Sequence, residues 1–168
     1  MFETIKTFVD QNPHLVEVAA FLLGFAESII VTSFFVPATA IFLAVGAMLG
    51  AGGNFIWPVV LAAGFGAFVG DVITYMVANR YRHSVATWPA LRDNPTWMPQ
   101  ATAFVEKWGW LSLLLGKFVG PLRPVVPIVC GVMRMNLPLF LASSAVSSIV
   151  WAAAFLAPPY YGLKLWMG

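Results

Sequence analysis

The charged residues of this chain are few and are sorted by sign along the sequence. Between Lys6 and Arg80 there is no lysine or arginine, and from Trp108 onwards there is no aspartate or glutamate. Only 10% of the residues are charged and 60% are hydrophobic, whereas ordinary globular chains carry about 25% charged residues. So few charges cannot cover a soluble fold of this size, and the sequence predicts an integral membrane protein.

The few charges inside the apolar stretches are acidic in the first half and basic in the second. A charge inside a bilayer is costly, so it is usually paired or functional. The acidic residues are Glu17, Glu27 and Asp71, and the basic residues are Lys117, Arg123, Arg134 and Lys164. We therefore expect the two halves to meet around a polar site that binds an anionic ligand.

The apolar pattern predicts one all-α membrane domain over residues 1–168. Residues 1–12 place hydrophobic side chains on one helical face, which is typical of an interfacial helix. Asn12 and Pro13 then form an N-cap and first helical position. The mostly apolar residues 15–35 are long enough to span a bilayer, which takes about 20 residues.

Two interrupted apolar stretches predict re-entrant hairpins, one in each half. In residues 27–79, a short apolar piece follows Pro37, and a full span at residues 55–78 comes after it. In residues 110–163, three prolines exclude one straight helix: Pro121, Pro124 and Pro127. A final helix over residues 138–155 is expected to bend or stop at Pro158 and Pro159, before Tyr160 and Tyr161.

Residues 80–109 are more polar and join the two halves. They combine basic residues with tryptophans, which predicts an interfacial loop on the cytoplasmic face by the positive-inside rule. Phe35-Val36-Pro37 in the first half is similar to Phe118-Val119-Gly120-Pro121 in the second. One crossing separates these segments, so the two hairpins should enter from opposite faces, as in the inverted repeats of transporters.

Arg123 and Lys117 are the strongest candidates for binding an anion. Both lie in the proline-rich break, where helix ends expose backbone N–H groups. A guanidinium fork beside such groups suits a phosphate or another oxyanion. The alternative is that Arg123 only neutralises Glu27 or Asp71 in a buried structural pair, and both roles can hold together.

Glu27 is a candidate for proton coupling, because a carboxyl group in low-dielectric surroundings takes up a proton more readily. The alternative is a fixed salt bridge. Asp71 and Tyr75 are four residues apart on one helical face, and Asp71 is favoured as structural, accepting hydrogen bonds from a re-entrant loop. Four basic residues are expected to extend to the membrane interface: Arg80, Arg82, His83 and Arg134.

Other chemistry has no visible basis in the sequence. Cys130 is the only cysteine, so no intrachain disulfide and no cysteine metal cluster is expected. His14 and His83 are too few and too far apart for a histidine metal site. No nucleophile motif or phosphate-binding loop occurs, so we expect no metal, no cofactor, no nucleic acid and no enzyme activity.

The ordered set of these motifs resembles the DedA family of bacterial membrane proteins, which carry the VTT domain. The resemblance covers residues 25–160 and has three parts: Glu27 with Pro37, then Gly66-x-x-x-Gly70-Asp71-x-x-x-Tyr75, then Lys117-Phe118-x-Gly120-Pro121-x-Arg123, with Trp151 later. The chain departs from the family around Ala78-Asn79-Arg80, where a Gly-Arg pair is usual, and at two further positions. Thr39 stands where an acidic residue is usual, and Lys117 stands where an arginine is usual.

This resemblance implies a multi-pass protein of the bacterial inner membrane that moves lipids. Its ligand would be undecaprenyl phosphate or another anionic lipid, held by Arg123 and Lys117 and driven by protons on Glu27 or Asp71. Tyr75, Thr39, Pro37 and Pro121 would support the site. The small-residue helix faces also make a homodimer plausible. A small-solute or ion transporter and a non-transporting membrane organiser are the alternatives, with a membrane phosphatase weaker still.

Overall fold

The computed structural model describes residues 12–29, 38–52, 55–119 and 122–167, and within these ranges it is helical with no β-strand. A short 3-10 turn at Val85–Thr87 joins the two halves. The α-helices are α1 (Pro13–Glu27), α2 (Ala38–Gly52), α3 (Trp57–Arg80), α4 (Pro89–Arg92), α5 (Trp97–Trp108), α6 (Leu111–Gly116), α7 (Leu122–Val132) and α8 (Leu137–Met167).

Two of these helices, α3 and α8, are long and apolar enough to cross a bilayer. They contain 24 and 31 residues, which at 1.5 Å per residue is about 36 and 46 Å, against a hydrocarbon core of about 30 Å. Both expose large apolar side chains, including Leu61, Phe65, Val146 and Ile149. The predicted span at residues 55–78 is thereby confirmed.

Glycines allow α1 to lie directly against α3. A Cβ atom at Gly66 would overlap the carbonyl oxygen of Phe21, and one at Gly70 would approach the carbonyl oxygen of Phe25 within 2.9 Å. Gly24 faces Ala63 in the same way. The two helices run in the same direction, because successive turns of α1 meet successive turns of α3. Small residues such as Gly66 and Gly70 allow this close approach of two helix backbones.

A second glycine contact joins α2 to α8. A Cβ atom at Gly46 would overlap the carbonyl oxygen of Leu156, and one at Gly50 would overlap that of Tyr160. These two helices also run in the same direction. By contrast, α3 and α8 are antiparallel, since Gly64 lies against Ile149 and Asp71, further along α3, meets Ser144 earlier on α8.

The described residues cover only part of the first predicted span. α1 ends at Glu27, and residues 30–35 of the predicted span over residues 15–35 lie outside the described residues. The Ser28 hydroxyl donates a hydrogen bond to the carbonyl oxygen of Ala67 at 3.0 Å. Asn12 precedes the helix and Pro13 is its first residue, as predicted. The predicted interfacial helix over residues 1–12 lies outside the described residues, except for Asn12.

The expectation that Pro158 and Pro159 bend or stop the last helix is corrected in one respect. α8 continues through both prolines to Met167. A proline removes one helical hydrogen bond and crowds the preceding turn. Here that part of α8 is packed against α2, where Pro159 lies over Gly46, and this tertiary contact holds the helix together.

The second half is interrupted as predicted. α6 ends at Gly116 and α7 begins at Leu122. Pro127 lies inside α7. The interruption between α6 and α7 therefore precedes Pro124 and Pro127, which are both part of α7. The predicted interfacial loop over residues 80–109 contains short helices and the 12-residue helix α5, and its cytoplasmic location stays a prediction.

A polar layer lies between two apolar cores. On α3, Ala67 belongs to one core and Tyr75 to the other, and Asp71 lies between them. On α8, Phe140 and Trp151 belong to opposite cores, and buried serines lie between them. Asp71 lies about 21 Å along α3 from Trp57 at 1.5 Å per residue, so this layer is well inside the span.

Candidate functional site

The first ion pair of the polar layer joins Glu27 and Arg123. Glu27 is the last residue of α1 and Arg123 is the second residue of α7, and Nη1 of Arg123 lies 2.5 Å from Oε2 of Glu27. Both side chains are only 8% exposed. The prediction that the acidic first half and the basic second half meet at a polar site is borne out at this contact.

The second ion pair joins Asp71 and Lys117. Nζ of Lys117, at the end of α6, lies 2.6 Å from Oδ2 of Asp71 on α3. The hydroxyl of Ser144 on α8 donates to the same carboxylate oxygen at 2.8 Å. The partners shown for Asp71 are thus side chains of two helices rather than the loop backbone groups that we expected.

The two pairs interact with one another and together carry no net formal charge. Lys117 interacts electrostatically with Arg123 and Glu27 as well as with Asp71, and Arg123 interacts with Asp71 as well as with Glu27. Desolvation of such a pair costs several kcal/mol per ion. Removal of one partner is therefore strongly destabilising, because the other charge is left uncompensated in the interior. The cluster therefore couples α1, α3, α6, α7 and α8.

Arg123 is only partly satisfied by Glu27. Its guanidinium stacks over the Trp151 ring, with Cζ 3.9 Å from the ring centroid. Its Nε and Nη2 atoms are buried and have no hydrogen-bond partner among the described residues. These two nitrogens form one edge of the guanidinium, and this is an edge that can bind a carboxylate or phosphate with two parallel hydrogen bonds.

Two further donors without a partner among the described residues lie on α8. Ser148 Oγ and Trp151 Nε1 are buried without a hydrogen-bond partner in the described part of the chain. Ser144, Ser148 and Trp151 follow the i, i+4, i+7 spacing of one helical face, and the first and last of them contact Asp71 and Arg123. Buried polar groups are normally paired, so this arrangement has capacity for an additional acceptor.

Sequence reasoning did not single out the serines of α8. The signal was present, because Ser143-Ser144 and Ser147-Ser148 recur four residues apart in an otherwise apolar helix. Serine inside an apolar helix often hydrogen-bonds its own backbone, and Ser143 and Ser147 do so. Only the fold shows that Ser144 and Ser148 face the charged layer instead.

Tyr75 supports the end of α7 rather than the ion pairs directly. Its hydroxyl donates to the carbonyl oxygen of Met135 at 2.6 Å. Its ring stacks on Phe140 with centroids 4.3 Å apart. Asp71 and Tyr75 are both buried one turn apart on α3, as their spacing predicted.

Three predicted supporting residues are not tested by these contacts. Pro37 and Pro121 lie outside the described residues. Thr39 lies in the first turn of α2, and the structure does not describe its side chain. Their supporting roles stay predictions.

Two apolar spanning helices, an apolar exterior and a buried charged layer define a multi-pass helical membrane protein. Residues 36–160 match the VTT domain. This match covers most of the chain, which therefore belongs to the VTT-domain family that includes DedA. The family resemblance and the location in the inner membrane, both predicted from the sequence, are confirmed.

Curated relatives agree with this assignment. The chain is 26% identical to the inner membrane protein YabI of Escherichia coli K12 over 159 residues, which is 95% of this chain and 60% of YabI. It is 23% identical to the uncharacterised membrane protein BU139 of Buchnera aphidicola, over 92% of this chain and 60% of that protein. Protein DedA of E. coli K12 is 24% identical over 84% of this chain and 66% of DedA.

The chain thus spans about three fifths of the length of the first relatives that it matches. No solved structure matches it significantly.

Proposed function

We propose that this chain belongs to a transporter that moves an anionic lipid, undecaprenyl phosphate or a phospholipid, across the inner membrane without enzymatic chemistry. One observation carries the proposal. Arg123 is buried and holds Glu27 on one nitrogen, yet Nε and Nη2 have no partner among the described residues. That open edge suits the oxygens of a phosphate head group, with the acyl chain left in the lipid.

Charge balance supports proton coupling. The four buried side chains are formally neutral together, so an entering phosphate would leave uncompensated negative charge in a low-dielectric layer. A proton on Glu27 would remove that excess, because low dielectric and a neighbouring anion both favour the protonated carboxyl. Protonation would also weaken the hold of Glu27 on Arg123, so that the charge of the guanidinium would be available to a phosphate on the open Nε and Nη2 edge. Asp71 is the second candidate to carry the proton.

The glycine contacts support an inverted repeat with two re-entrant hairpins. The short helix α2 runs in the same direction as α8, with Gly46 against the carbonyl oxygen of Leu156. The short helix α7 likewise packs on α3, with Gly131 against the carbonyl oxygen of Tyr75. The long helices α3 and α8 are antiparallel. The short helix of each half packs against the long helix of the other half. Repeats of this kind give alternating exposure of a central site.

The decisive variant is Arg123→Lys, measured in full-length protein. Lysine keeps the positive charge that faces Glu27 but loses the two-nitrogen edge. We expect binding of a polyprenyl phosphate in detergent, and transport of labelled lipid in proteoliposomes, to fall about tenfold or more, as for the loss of a bidentate charged contact. Arg92→Lys is the matched control, because Arg92 is exposed and forms its ion pair with the neighbouring Asp93.

Undiminished binding and transport by the Arg123→Lys protein would refute the assignment of the head group to Arg123. The same assay separates the lipid from a soluble anion. A lipid carrier requires a site open sideways to the bilayer, so a water-soluble phosphate ester should neither be transported nor compete. The homodimer stays a prediction, for which the molecular mass of the detergent-solubilised protein is the measurement.

A further inference from the structure

A separate basic cavity lies at the end of α3, away from the buried pairs. Its volume is about 730 Å³, and it opens between the C-terminal turns of α3, the residues that follow them, and the start of α8. Its polar lining consists of Tyr75, Asn79, Arg80, Arg82, His83 and Arg134. Ligand cavities commonly measure about 300–1,000 Å³, so the space is sufficient for a lipid head group.

Within the described part of the chain, the arginines of this cavity have no acidic counter-charge. No carboxylate of the described residues lies within ion-pair distance of Arg80, Arg82 or Arg134. Nε of Arg82 donates to Nε2 of His83 at 3.3 Å, which leaves the other guanidinium nitrogens for a ligand. α8 begins at Leu137 on the cavity wall, and the positive end of its dipole adds to the potential.

The backbone at Arg134 provides the second observation. Arg134 has φ of 55°, and it is the only residue other than glycine with positive φ in the described ranges. Its N–H donates to Gly131 and the N–H of Met135 donates to Cys130, the pattern of a Schellman helix end. Glycine is the usual residue at this position. The arginine therefore occupies a strained site, and its side chain lines the cavity.

We infer that this cavity is an interfacial binding site for a phosphate-bearing head group. Three arginines meet in it without a counter-charge from the described part of the chain, and one of them is held where glycine would be less strained. Basic pockets of this kind between membrane helices bind anionic lipid head groups. A free phosphate ester shares the same chemistry and is distinguished by the experiment below.

The position of the cavity suggests how it serves transport, a step that rests on the proposed function. Tyr75 forms part of the cavity wall, and Asp71 of the second ion pair lies one helical turn further into the membrane. Arg80 and Asp71 are nine residues apart, or about 14 Å along the helix. A head group that enters from this end would therefore bind in the cavity before reaching the buried pairs.

The test uses the full chain in detergent, with fluorescent phosphatidic acid as the probe and diacylglycerol as the phosphate-free comparison. Arg134→Gly is the best single variant, since glycine fits the left-handed backbone and should leave the unfolding midpoint unchanged or raise it. We expect about fivefold weaker binding of phosphatidic acid for each arginine removed, and so about 25-fold for the Arg80→Gln/Arg134→Gly pair.

Arg92→Gln is the control, because it removes the same charge outside the cavity. Unchanged binding by the Arg80→Gln/Arg134→Gly protein would overturn the proposal, as would an equal loss in Arg92→Gln or equal binding of diacylglycerol. Displacement of the lipid by inorganic phosphate alone would assign the cavity to the free anion, and displacement only by phospholipid would assign it to the head group. Arg123→Lys should retain binding in this cavity, so failure of the proposed transport site would be recognised separately.

Discussion

The Asp71–Lys117 pair and the Glu27–Arg123 pair lie in the same polar layer, yet their surroundings differ. Asp71 receives both Lys117 and Ser144 on one carboxylate oxygen, and within the described residues no buried atom of these three side chains lacks a partner. Around Arg123 the described residues leave unpaired donors on the guanidinium, on Ser148 and on Trp151.

This difference indicates that the Asp71–Lys117 pair is suited to a structural role and the Glu27–Arg123 pair to ligand binding. A satisfied buried pair fixes the relative position of α3, α6 and α8, and any rearrangement there has a high cost. In a partly satisfied pair, the unpaired donors have lost their hydrogen bonds to water and gained none in the protein. A ligand that supplies acceptors restores those hydrogen bonds and so gains binding free energy. Both pairs are deeply buried, so burial alone would not have distinguished them.

The largest expected effect comes from Arg123→Ala, which removes the ion-pair partner of the buried Glu27. We expect the free energy of unfolding in mixed micelles to fall by about 3–5 kcal/mol. The double variant Glu27→Leu/Arg123→Met should recover most of this stability, because apolar groups of similar volume replace a buried pair well. Head-group binding should be lost in both proteins; binding by the double variant would show that this pair is only structural.

Reciprocal exchange of the two basic residues sharpens the comparison. Arg123→Lys should weaken head-group binding about tenfold or more through loss of the two-nitrogen edge. Lys117→Arg keeps the charge opposite Asp71 and should change binding by less than about threefold. Binding constants in detergent would decide this, and equal effects of the two exchanges would remove the distinction between the pairs.

Gly66→Ala should disturb the first pair more than the second. A methyl group at Gly66 overlaps the carbonyl oxygen of Phe21, so α1 must move away from α3 and carry Glu27 with it. We expect a loss of about 1–3 kcal/mol in unfolding free energy. Gly162→Ala is the control, since nothing of the described chain lies within 4 Å of its added methyl, and it should stabilise by about 0.5–1 kcal/mol.

The smallest contrast is between two serines one turn apart on α8. Ser144→Ala removes a hydrogen bond to a charged group and should cost about 1.5–3 kcal/mol at most, since Lys117 still pairs Asp71. Ser148→Ala removes a hydroxyl that has no described partner, so unfolding should change by less than about 0.5 kcal/mol. If Ser148 contacts the head group, this variant should still bind lipid less tightly than the unaltered protein.

Much of this arrangement could be predicted, because features that are energetically costly in a membrane are rare and therefore easy to recognise in the sequence. The cost of a charge in lipid is enough to single out Glu27, Asp71, Lys117 and Arg123, and the glycines at 66 and 70 indicate a close crossing. The choice of partners could not be predicted, because Glu27 with Arg123 depends on where α1 ends.

The last helix shows the limit of local rules in another way. Pro158 and Pro159 predicted a bend or a stop, and α8 does not stop there because it packs against α2. The serines of α8 were visible in the sequence and were not recognised, because a hydroxyl facing its own backbone and one facing a charged layer have the same spacing. The re-entrant geometry and the roles of the site residues stay predictions.

The order of the charges along the chain also affects how the protein is made. Glu27 and Asp71 leave the ribosome before Lys117 and Arg123 exist, so the nascent N-terminal half reaches the membrane without its counter-ions. Until synthesis passes Arg123, these carboxyl groups cannot form the two buried ion pairs. The buried carboxyl groups of the first half therefore gain their basic partners only when the second half folds against it.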